Sequence, residues 1–112
     1  MKKIVAIRSI IGAMAAIASA SAFCGASTGK VNYIAVRSDI TYFSLSATNQ
    51  SRPVCASQTD YYMIKDRGTS VGKQQVALLL TAKATDRAVS VFGANQCTVW
   101  SDGEDADSVM LH

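Results

Sequence analysis

Gly72-Lys73-Gln74-Gln75-Val76-Ala77-Leu78-Leu79-Leu80-Thr81-Ala82-Lys83-Ala84 is the stretch on which the fold of this chain turns. Val76, Leu79, Leu80 and then Lys83 or Ala84 fall at helical spacing, on one side of a 3.6-residue period. Thr69 or Ser70 can cap it, because a hydroxyl accepts a hydrogen bond from a free N–H of the first turn. The spacing predicts one helix over residues 72–84. Val76, Leu79 and Leu80 are expected to face the core. Leu78 then sits off that face and, with Ala82, is a candidate for a subunit contact.

On both sides of this stretch the sequence is rich in β-branched and aromatic residues. Val31–Val36 follows Gly29 and reads as a first strand, Ser38-Asp39 as a short turn, and Ile40–Leu45 as a second strand. Thr48-Asn49-Gln50-Ser51-Arg52-Pro53 is turn chemistry, and Pro53 lacks the N–H that a central strand needs. A third strand is expected within Gln58–Lys65, before the break at Asp66-Arg67-Gly68. After the helix, Ala88–Phe92 alternates as a strand, Gly93-Ala94-Asn95 turns, Cys97–Trp100 offers a short strand, and Asp107–Leu111 closes the chain. The expected class is mainly β with one helix, in the order β-β-β-α-β-β. One helix between the third and fourth strands is the element order of a small OB-like barrel; a small α+β sheet shares it.

The N-terminus reads as an address. Met1-Lys2-Lys3 with Arg8 is basic, Ile10–Ala18 (IIGAMAAIA) is uncharged, and Ser19-Ala20-Ser21-Ala22 is small. These are the three parts of a secretory signal peptide. The uncharged run from Ser9 to Gly29 raises a membrane span as the rival, but its second half is Ala, Ser, Gly and Thr, which suits cleavage. Cuts after Ala22 and after Ala26 both fit. The second discards Cys24 and leaves Cys55 and Cys97 as an even pair. Phe23 ahead of Cys24 argues against a lipoprotein. The expected organisation is therefore a signal peptide over 1–26 and a single OB-like domain over 27–112, exported to the periplasm or beyond and free of the membrane after cleavage.

Export also changes the electrostatics. The 112 residues carry 11 basic and 8 acidic groups. Without Lys2, Lys3 and Arg8 the two sums match, so the apparent basicity belongs to the signal. A neutral domain has no footprint for a phosphate backbone, and no nucleic-acid partner is expected.

Little in the sequence supports catalysis. The single histidine, His112, sits at the chain end, where residues usually fray, and no glycine-rich phosphate loop is present. A binding protein without a catalytic site or cofactor is expected. Cys55 and Cys97 suit a disulfide in an exported domain, with two buried thiols as the alternative. A zinc site would need His112 and lacks Cys-x-x-Cys spacing. Asp102, Glu104, Asp105 and Asp107 could offer oxygen ligands to calcium, although the spacing is not that of an EF-hand and a solvated acidic turn explains it as well. Tyr61, Tyr62 and Trp100 are the candidate ligand contacts, since aromatic faces stack on sugars while their polar tips hydrogen-bond. Strand alternation puts Tyr61 and Tyr62 on opposite sides, so at most one is core.

The helix segment Gly72–Ala84, the following Ala88-Val89-Ser90-Val91, the run from Gly93 through Cys97-Thr98-Val99-Trp100 and the opening Gly29-Lys30-Val31 together resemble a family of small exported bacterial proteins. Through that family the chain resembles, more distantly, the B subunit of subtilase cytotoxin and related pertussis-like toxin subunits. The resemblance spans residues 29–112. It implies an OB barrel, assembly into a pentamer and binding of sialylated glycans, with no sugar-contacting residue that maps onto a numbered position here. A glycan-binding subunit is one expectation. A periplasmic protein that binds or inhibits a protein partner is the other.

Overall fold

Dense β-branched and aromatic residues build five strands. The structure, a computed structural model, describes residues 26–47 and 51–112. The expected signal peptide up to Gly25, including Cys24 and the Ala22 cleavage site, and the Thr48-Asn49-Gln50 part of the polar turn lie outside the described residues. The elements are β1 (Ala26–Arg37), β2 (Ile40–Ser46), a 3-10 turn (Val54–Ala56), β3 (Tyr61–Ile64), α1 (Ser70–Thr85), β4 (Ala88–Gly93) and β5 (Glu104–Leu111). They close into a barrel in the order β1-β2-β3-β5-β4, with β4 returning to β1. Every pairing is antiparallel except that of β3 with β5. This is the small, mainly β, OB-like barrel with one helix.

Tertiary pairing moves several boundaries away from what local propensity suggests. β1 begins at Ala26 rather than Val31, because Ala26–Lys30 pairs with Ala88–Phe92 of β4 while the rest of β1 pairs with β2. A register shift between Val31 and Tyr33 lets the strand bend from one partner to the other. Cys97–Trp100 is not a strand; its only ladder contact is the bridge between Trp100 and Gly103. β5 instead starts at Glu104, since Glu104, Asp105 and Ala106 pair in parallel with Tyr62, Met63 and Ile64.

The barrel is filled by Val31, Phe43, Leu45, Tyr62, Ile64, Val89, Val91 and Ala106, with Leu79 and Ala82 of α1 packed on them. Thr69 caps α1, its Oγ1 accepting from Gly72 N at 3.2 Å. The buried stripe is Gly72, Gln75, Leu79 and Ala82. Leu79 lies at its centre, and at about 100° per residue both sequence neighbours fall on the flanks. Leu80 is therefore exposed, contrary to its expected place in the core, while Leu78 is half-buried.

Cys55 and Cys97 form a disulfide with Cα atoms 6.3 Å apart. It joins the segment between β2 and β3 to the segment between β4 and β5. Thr59 Oγ1 donates to Asp102 O at 2.6 Å between the same two segments.

Candidate functional site

The site begins with a hairpin. Ser38-Asp39 is a two-residue connection, so Arg37 pairs with Ile40 and the register runs back through Ala35–Tyr42 to Tyr33–Ser44. Ser44 in turn pairs with Tyr61, and Tyr42 with Met63. Directly opposed residues share a face, so Tyr33, Tyr42, Tyr61 and Met63 all lie on the outer wall of β1-β2-β3. The rings of Tyr33 and Tyr42 meet edge-on at 6.1 Å, and those of Tyr42 and Tyr61 at 5.4 Å.

Residues 94–103 fold over this wall. Met63 is fully buried on the outside of the barrel because Gly103 lies on it; a Cβ there would stand 2.6 Å from Met63 Sδ and 2.7 Å from Tyr61 Cε2. The same segment brings in Trp100, whose indole stays 41% exposed. The Arg37 guanidinium lies 5.8 Å from its ring centre. Trp100 and Ile40 line two concavities at once. One, of about 320 Å³, is walled by Tyr33, Tyr42, Tyr61, Met63 and Arg37. The other, of about 660 Å³, is a more open groove whose charged lining is Asp39, Lys65, Asp66 and Arg67. Asp39 and Arg67 are paired across it at 3.2 Å.

Two phenols of the site, Tyr33 and Tyr61, are held in their neutral form. Tyr61 is pushed up to about 12, first by burial and then by its hydrogen bond to Asp102 Oδ1 and that carboxylate's charge. Tyr33 is also raised, mainly by burial and then by the charge of Asp60. Both rings therefore keep a protonated hydroxyl throughout the physiological range; that of Tyr61 donates to Asp102 and is left to accept.

Of the aromatic residues singled out in the sequence, Tyr61 and Trp100 line the same cavity. Tyr62 does not. It is fully buried inside the barrel, stacked on Phe43 at 5.7 Å, with its hydroxyl 3.0 Å from Ser27 Oγ and the Arg52 guanidinium 4.7 Å from its ring centre. Tyr33, Arg37, Ile40, Tyr42 and Met63 were not anticipated, although the short Ser38-Asp39 turn carries enough information to align Tyr42 on β2 with the outward positions of β1.

The four acids do not converge as a calcium site would require. Glu104 and Asp105 are adjacent on β5, fully buried and directed to opposite faces. Glu104 Oε2 accepts from Asn95 N at 3.0 Å. Asp105 accepts from Thr98 N, Thr98 Oγ1 and Val99 N. Asp102 is held by Tyr61, and Asp107 is exposed. Among the described residues no three His, Cys, Asp or Glu side chains are grouped to hold a metal. His112 does not fray: its N donates to Ala88 O at 3.0 Å, and its Nε2 lies 2.7 Å from Ser90 Oγ, itself 2.7 Å from Thr28 Oγ1. Among the described residues no helix is long and apolar enough to cross a membrane.

The fold and site together define a closed, OB-like barrel with an aromatic cavity on its outer wall and a disulfide beside it. The chain matches no protein-family model, no curated protein and no solved structure.

Proposed function

We propose that this is an exported, non-catalytic binding protein whose ligand is a glycan seated against Trp100. The observation that carries the reading is the half-exposed indole shared by a tyrosine-lined cavity and a charged groove. A sugar has an apolar face that stacks on an aromatic ring and hydroxyls that need donors and acceptors at its rim. Trp100 offers the first, and Tyr33, Tyr61, Asp39 and Arg67 the second. The basic, apolar and small-residue pattern of residues 1–26 and the Cys55–Cys97 disulfide support export, since disulfides persist in oxidising compartments.

Trp100 is the chain's single tryptophan, so its fluorescence reports the site directly. Titration with a panel of mono- and oligosaccharides should change the emission for at least one of them. Trp100→Ala should weaken that binding by roughly tenfold or more, and Trp100→Phe should retain part of it. A panel with no response in emission or calorimetry would sink the glycan reading and direct the search to a protein partner captured from envelope extracts. The resemblance to toxin B subunits adds an expected ring of five. Light scattering that gave a monomer would remove that parallel and leave the cavity reading to stand on its own titration.

A further inference from the structure

We propose that Asp105 is a positioning residue for the ligand site: its buried carboxylate sets the place of Trp100 over the cavity. The proposal rests on the reading of Trp100 as the ligand-contacting residue. Residues 94–99 belong to no strand or helix, so something other than a ladder must hold them. Besides the Cys55–Cys97 disulfide and the bond from Asn95 N to Glu104 Oε2, the hold on the last of them comes from one side chain. Asp105 accepts from Thr98 N at 3.1 and 3.3 Å, from Val99 N at 3.3 Å and from Thr98 Oγ1. Its backbone N donates to Gln96 O at 2.8 Å, and its O accepts from Ala94 N at 2.7 Å. Hydrogen bonds to an ionised acceptor are the stronger kind, and burial strengthens them further.

The placement follows from β5. Asp105 opposes Met63 in the parallel pairing, so it points to the outer wall, whereas Glu104 opposes Tyr62, whose side chain lies inside the barrel. The outer wall is the face over which residues 94–103 fold. Trp100 is the residue immediately after the last one Asp105 grips, and Gly103 fixes the far end of the turn, its N 3.4 Å from Trp100 O. A single carboxylate on a rigid strand thus fixes the backbone from which the indole projects, as preorganised sites require.

Asp105→Asn tests this without any ligand. The amide keeps the volume but loses the charge and one acceptor oxygen. The variant should keep the far-ultraviolet dichroism of the barrel while Trp100 emission shifts to the red. Acrylamide quenching should rise by up to roughly twofold, a ceiling set by an indole already 41% exposed. Glu104→Gln changes the neighbouring buried carboxylate, which grips the same segment at Asn95, five residues before Trp100. It should lower the melting temperature and move emission and quenching much less than Asp105→Asn. Thr98→Val removes one hydroxyl donor from the solvent side, and should move the emission in the same direction by a smaller amount even if Asp105→Asn fails to fold. Wild-type emission and quenching in both folded variants would overturn the proposal, as would an equal change in Glu104→Gln. Failure of every sugar to bind would overturn the glycan reading and leave these spectra to decide the role of Asp105.

Discussion

At the scale of single residues, Tyr61 shows how one side chain links the site to stability. Its hydroxyl donates to Asp102, so the folded state favours the protonated phenol and raises it to about 12. In the unfolded chain the same group titrates near 10. The unfolded state therefore releases its proton first. The contribution of Tyr61 is fully present below pH ~10 and is lost as pH rises from there through about 12. Tyr33 and Tyr62 are raised too, and act with the same sign. Urea midpoints measured between neutrality and strong alkali should fall across this window in the wild type and fall less in Tyr61→Phe. Phenolate absorbance should lose its latest-titrating step in that variant. Identical alkaline profiles for the two proteins would mean that the Tyr61–Asp102 contact does not persist in solution.

At the scale of elements, α1 separates what local sequence determines from what contacts impose. The helix and its Thr69 cap were legible in the run Thr69–Ala84, because capping and helical period are local properties. The buried face was not. Val76, Leu79 and Leu80 look equally suited to the core, yet it is Leu79 that shares the buried stripe with Gly72, which presses on the preceding chain. A Cβ at Gly72 would lie 2.3 Å from Asp66 O and 2.7 Å from Arg67 Cα, both backbone atoms that cannot yield. Helix propensity alone favours alanine over glycine by about 1 kcal/mol. Gly72→Ala should nevertheless destabilise by about 1–3 kcal/mol, the cost of overpacking a fixed neighbour. Gly68→Ala, with nothing near its Cβ, should change stability by less than about 0.5 kcal/mol. Urea melts of the two variants check the contrast, and a stabilised Gly72→Ala would show that the Asp66 turn moves freely. The site was legible to the same partial degree. Tyr61 and Trp100 stand out as residues, and the two-residue turn aligns β1 with β2. The long connection between β2 and β3 and the parallel β3–β5 pairing leave no local trace, and it is they that bring Met63, Gly103 and Trp100 together.

At the scale of the whole molecule, the disulfide and the Asp105 anchor hold the same segment for different purposes. Cys55 and Cys97 are 42 residues apart in sequence. A cross-link closing a loop of that length removes enough unfolded-state entropy to stabilise the fold by about 4 kcal/mol in the chain-entropy model. In so small a domain, whose limited core leaves stability marginal, this corresponds to a melting temperature lower by roughly 15–30 °C once the bond is absent. The effect acts on the unfolded chain. In the folded state the backbone of Thr98 and Val99 is held by hydrogen bonds to Asp105 that do not run through the sulfurs. Cys55→Ser combined with Cys97→Ser should therefore melt far earlier than the oxidised wild type, yet below its transition show the same Trp100 emission and quenching. If the emission instead shifted in the still-folded double variant, the covalent bond rather than the carboxylate would be what holds the indole. If the melting temperature barely moved, the two segments would be held together mainly by contacts such as those of Thr59 and Tyr61 with Asp102. The expected result, a large loss of stability with an unaltered site, means that the barrel presents its aromatic cavity in reducing and oxidising surroundings alike for as long as it stays folded.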